Sequence, residues 1–168
     1  MTGIDSALAA HRNAVGDLVR AAERSAGTWT IPRAPGKWSP AQVVEHVARA
    51  LEESAHVVAG APSKFPTLPP FLRPLARAMF FNRVLSKNAF PNAKTGKAFD
   101  PASGPGTPAA ARVRLEAARE AFDQACRDRA ASGKKVESTI FGTVSVEDYA
   151  RFQELHARHH CSQMPAAM

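Results

Sequence analysis

A chain of 168 residues with 45% apolar and 22% charged residues has the length and balance of one soluble domain able to bury a core. No apolar run approaches the roughly 20 residues of a membrane span, and the start Met1–Leu8 lacks a basic, apolar leader, so a cytoplasmic setting is expected. The net charge of +7 is confined to one segment: 61–99 holds seven basic residues and no acidic one, leaving 15 basic against 15 acidic elsewhere. Nucleic-acid binding by the whole domain is therefore not implied.

From about Ile4 to Ser25 the pattern predicts an amphipathic helix, with Leu8, Val15, Leu18 and Val19 on one side and His11 read as a surface or interface residue. Two prolines and a glycine make 28–37 a loop. Trp38-Ser39-Pro40 then opens a second helix, with Ser39 as cap and Pro40 in the first turn, running to about Val58. Val43, Val47, Ala50, Leu51 and Ser54 face one way, and His46 lies on the same flank; Glu45 points elsewhere, and His56 reads as surface. The stretch 60–108 is a long, proline-rich, basic connection with one amphipathic piece from about Pro70 to Ser86, where Pro74 argues against a long regular helix. Thr107-Pro108 opens a third helix to about Ala130 through Val113, Leu115, Ala118, Phe122 and Cys126. A loop or brief extended stretch follows at 140–144. Ser145 caps a last helix carrying Tyr149, Phe152, His156, His160 and Gln163 along one stripe.

Four long helices without repeated strand signals predict an all-α four-helix bundle, a single domain over 1–168. Cys126 and Cys161 form no disulfide framework and no zinc-ribbon spacing, and Cys161 reads as a small buried thiol. His156 and His160, four apart, lie on one helix face and can share a divalent metal. His46 on a facing helix would complete three protein ligands and leave a position open. Three histidines with water most often mean zinc, although nickel, copper and iron also accept imidazole. Gln153 and Gln163 are candidate hydrogen-bond supports for these histidines, and His159 is placed outward or at the helix edge.

The two segments Gly36-Lys-Trp-Ser-Pro-Ala-Gln-Val-Val-Glu-His46-Val and His156-Ala-Arg-His-His160-Cys-Ser-Gln163 together resemble the DinB/YfiT-like superfamily. The resemblance spans the helix order of nearly the whole chain, while the motifs cover about 20 residues. It implies an up-down-down-up bundle with a divalent metal on His46, His156 and His160, and Trp38 as a structural tryptophan. It also implies a homodimer acting on a small molecule, either as a transferase using a low-molecular-weight thiol such as mycothiol, bacillithiol or glutathione, or as a metal-dependent hydrolase. No residue stands out as a second catalytic group. Two alternatives stay open: a non-catalytic metal-binding, stress-associated bundle, and a membrane-surface or nucleic-acid binder working through 61–99. Neither nucleic acid nor membrane is the expected partner.

Overall fold

The computed structural model describes residues 3–165. Four long helices form the body: α1 (Gly3–Arg24), α2 (Pro40–Ala59), α5 (Pro108–Ala131) and α6 (Val146–Cys161). Two short helices, α3 (Arg73–Ala76) and α4 (Asn82–Lys87), sit in the connection between α2 and α5. A π turn at Arg77–Phe81 joins them into one rod. Pro74 falls in the first turn of α3, where a missing N–H breaks no helical bond, so the rod continues past it.

Local chemistry sets the helix ends. The Ser39 hydroxyl accepts the Gln42 N–H, and the Gln42 side chain accepts the Ser39 N–H at 3.0 Å, a closed capping box. Thr107 accepts from Ala110 at 3.1 Å and Ser145 from Asp148 at 3.0 Å. Gly60 ends α2 at φ 79°, a left-handed conformation that a Cβ would strain.

The body is held by packing of α1 on α6, α2 on α5, and α1 on α5. Leu8, Leu18, Val44, Val47, Leu51, Val58, Leu115 and Phe122 are fully buried between them. A side chain of this size contributes about 1.5–3 kcal/mol on burial, so this layer is the main source of stability. Val113 is 68% exposed, against the expectation that it joins this row. It lies two residues before Leu115, about 200° around the helix.

The all-α expectation needs one amendment. Strands β1 (Val136–Ser138) and β2 (Gly142–Val144) pair antiparallel, with Val136 opposite Val144. Val136 and Val144 turn inward and join the core, while Glu137 and Thr143 face water. The hairpin supports the connection: Leu68 N–H donates to the Thr139 carbonyl at 2.9 Å, and Arg77 donates to the Thr143 carbonyl at 2.7 Å. No helix among the described residues is long and apolar enough to cross a membrane.

Candidate metal centre

His46 comes from the middle of α2, and His156 and His160 from consecutive turns of α6. All three are buried. Their Nε2 atoms converge: His46 to His156 is 3.2 Å and His160 to His156 is 3.0 Å. An ion with metal–nitrogen bonds of about 2.0–2.1 Å sets its ligand nitrogens about 2.9–3.4 Å apart in octahedral or tetrahedral geometry. The spacing present suits either arrangement. Among the described residues, these three histidines are the group of potential ligand atoms close enough to share one ion.

The outer ring nitrogens fix the tautomers. His46 Nδ1 lies 2.7 Å from the Phe99 carbonyl, which can only accept, so Nδ1 carries the proton and Nε2 keeps its lone pair. His160 Nδ1 donates in the same way to Gln163 Oε1 at 2.8 Å. Two lone pairs therefore face His156 Nε2, which can offer its single proton to only one of them. Three such atoms in contact favour a cation at their centre over mutual hydrogen bonding.

The electrostatics agree with neutral rings. Burial is the main cause that lowers the pKa of all three histidines, and each feels its charged-form neighbours as well. His160 is pushed down to about 3, and His156 lies well below the ordinary value. Neutral imidazole is the form a metal requires.

The triad forms one wall of a cavity of about 910 Å³. Phe80, Phe90, Phe141 and Phe152 make it largely aromatic, and exposed Arg33, Lys37 and Lys94 border it. The Trp38 ring lies tilted against His46 at 4.7 Å and His160 at 6.0 Å, and its Nε1 donates to Asp100 at 3.1 Å. Trp38 thus packs the start of α2 and also covers the triad.

Of the supporting residues read from the sequence, Gln163 takes the expected role. It also donates through Nε2 to His159 at 3.0 Å, tying two histidines together. Gln153 does not bond His156; it lines the cavity, and its buried Oε1 has no partner among the described residues. His159 is half-buried in the cavity wall, the helix-edge position of the two expected for it. Cys161 is a half-buried thiol whose pKa burial raises, and Cys126 is a core residue. Glu45 is bound to Arg49 at 2.8 Å and to Arg114 of α5 at 3.2 Å, away from the cavity lining, and so is no general base. His56 is exposed, 3.6 Å from Glu53.

His11 departs from expectation altogether. It is fully buried, with Nδ1 3.2 Å from Asp123 and its ring edge-on to Phe122 at 5.0 Å. Its place beside Leu8, Val15 and Leu18 at helical spacing already put it on the apolar side of α1. The contribution of Phe99 was also missed, since a backbone carbonyl leaves no signature in the residue type.

No curated protein and no solved structure matches the chain. The family model of the DinB superfamily matches residues 7–164, a span that includes the capped start of α2 and all three histidines, and the chain belongs to that superfamily.

Proposed function

We propose that this protein is a metal-dependent enzyme acting on a small molecule, with His46, His156 and His160 holding one divalent ion. The observation that carries the reading is the convergence of three neutral, buried imidazoles on one wall of an aromatic cavity. Zinc fits a three-histidine set, and nickel is compatible with it. A bound ion of this kind supplies Lewis acidity and lowers the pKa of a water or a thiol, giving a nucleophile near neutral pH.

The chain's own residues position and shield. The Phe99 carbonyl and Gln163 hold the His46 and His160 rings so that their lone pairs point inward. Trp38 and the phenylalanines exclude water and favour a substrate with an apolar part. Arg33, Lys37 and Lys94 suit the carboxylates of a low-molecular-weight thiol cofactor or of an acidic substrate. Thiol transfer and hydrolysis are the two reaction types in view, in a cytoplasmic homodimer with the up-down-down-up connectivity that the resemblance implies.

A non-catalytic metal-binding bundle is the second reading. It is favoured by how the acids and bases of the cavity are occupied: Asp100 accepts from Trp38, burial pushes Tyr149 up to about 12, and His159 is tied to Gln163. Elemental analysis of untagged wild type beside His46→Ala and His160→Ala tests the shared premise. About one ion per chain, lost in both variants, supports a single site built from two helices. A wild type that is metal-free and takes up no added zinc overturns it. In a cobalt-substituted protein, a coordinated water in place of a fourth protein ligand favours the catalytic reading.

A further inference from the structure

The connection between α2 and α5 carries a surface that the metal centre does not use. Its helical rod turns Phe81 inward, buried at 4.9 Å from Phe152 and 5.1 Å from Phe141. The outer side is bare. Phe71 is 79% exposed, Leu75 55% and Met79 66%, with Leu72 beside them at 38%. Phe71, Leu75 and Met79 recur at four-residue steps, within about a quarter-turn of one another, and exposed Arg83 and Lys87 follow farther along the rod. A contiguous exposed apolar patch on a folded domain marks an interaction surface.

The charge of this region says what kind of partner fits. Arg49, Arg112, Arg114, Arg119 and Arg158, on the long helices, all sit against carboxylates. In the segment 61–99, Lys64 lies 3.8 Å from Glu53. Among the described residues, Arg73, Arg77, Arg83, Lys87, Lys94 and Lys97 have no carboxylate within ion-pair distance. Arg73 and Arg77 donate to the Leu68 and Thr143 carbonyls, which orients them without compensating their charge. Uncompensated positive charge and an apolar stripe thus lie together on one helix. A second copy of the chain would bring the same cations against them. A nucleic acid would use the cations and leave the stripe in water. An anionic lipid surface uses both, phosphates for the cations and acyl chains for the stripe.

We propose that Phe71, Leu75 and Met79, with Arg83 and Lys87, dock the protein on an anionic lipid surface with the rod lying in the membrane plane. This revises the expectation from sequence that membranes are not a partner. The same rod contributes Phe80 to the cavity wall, so docking brings an aromatic cavity to the membrane. The inference stands apart from the metal reading.

The test is co-sedimentation of the full chain with phosphatidylcholine vesicles, with and without phosphatidylglycerol. Wild type should sediment with the anionic vesicles only, and release between about 0.1 and 0.5 M salt. Leu75→Ser/Met79→Ser keeps every charge and should weaken binding about tenfold or more through lost apolar contact. Arg83→Gln/Lys87→Gln keeps the stripe and should weaken it about 25-fold, near fivefold per cation. All four side chains are exposed, and unchanged circular dichroism and melting temperature confirm intact folding. No sedimentation of wild type, or equal sedimentation with neutral vesicles, overturns the proposal. So does a serine variant that binds like wild type, which marks plain coulombic adhesion, the behaviour that duplex DNA would share. A wild-type dimer that the serine variant dissociates overturns it in favour of self-association.

Discussion

Acidifying the metal-free protein tests the buried triad most directly. His160 is 6% exposed, and burial, followed by the charge of His46, pushes its pKa down to about 3. In the unfolded chain it titrates at about 6.5. Above pH 6.5 the ring is neutral in both states and contributes no pH dependence. Between 6.5 and 3 the unfolded chain binds a proton that the native state refuses, so stability falls as pH falls. At pH 5.5 this costs about 1.4 kcal/mol for His160 alone, and a further amount close to that for each unit below, down to about 3. His46 and His156 act in the same direction. Set against a total stability of about 5–15 kcal/mol, the combined effect is large. The assay is urea unfolding with a chelator present, at pH 7.5 and 5.5, for wild type and His160→Gln. Wild type should lose more stability than the variant on acidification, by about 1.4 kcal/mol. Equal losses would refute the buried, neutral His160 on which the site reading depends.

Gln163→Leu removes the acceptor that fixes the His160 tautomer and should weaken zinc affinity about 10- to 100-fold in a competition titration, with little change in melting temperature. Gly104→Ala sets a Cβ 1.9 Å from the Ala41 carbonyl oxygen, so the loop over the start of α2 must move; a loss of about 1–3 kcal/mol in urea unfolding is expected, with weaker zinc binding because that loop also supplies the Phe99 carbonyl. Asp123→Ala leaves buried His11 without its partner and Arg119 without one of its two carboxylates, and should destabilise by about 3 kcal/mol, measured the same way.

What could be read from the sequence was what is local. Capping needs only a few neighbouring residues, so Ser39, Thr107 and Ser145 marked three helix starts to within a residue. The pair His156 and His160 was legible because helix geometry alone brings a residue and its fourth neighbour to one face. Periodicity was equally available for His11 and Val113, and it pointed the right way for both. His11 shares the stripe of Leu8, Val15 and Leu18, and that position outweighs the general preference of histidine for surfaces. The partner that makes its burial tolerable, Asp123, lies 112 residues away, where no local rule reaches.

The same divide runs through the candidate site. Its ligand half comes from two regular helices, and part of its enclosure, with the Phe99 carbonyl, comes from 88–105, a stretch with little periodicity to read. The course of that stretch is fixed by a few distant contacts: Trp29 Nε1 donates to the Pro105 carbonyl at 2.7 Å, Gln42 to the Pro101 carbonyl at 2.9 Å, and Trp38 to Asp100 at 3.1 Å. Three polar side chains near the start of α2 thus anchor the loop that presents the Phe99 carbonyl to His46. The Trp-Ser-Pro opening of α2 therefore has two functions that its local reading separated, starting the helix and seating the loop that aims the first histidine. A change at Trp29 or Gln42 should consequently reach the metal site through the direction of the His46 lone pair, without touching any of the three histidines.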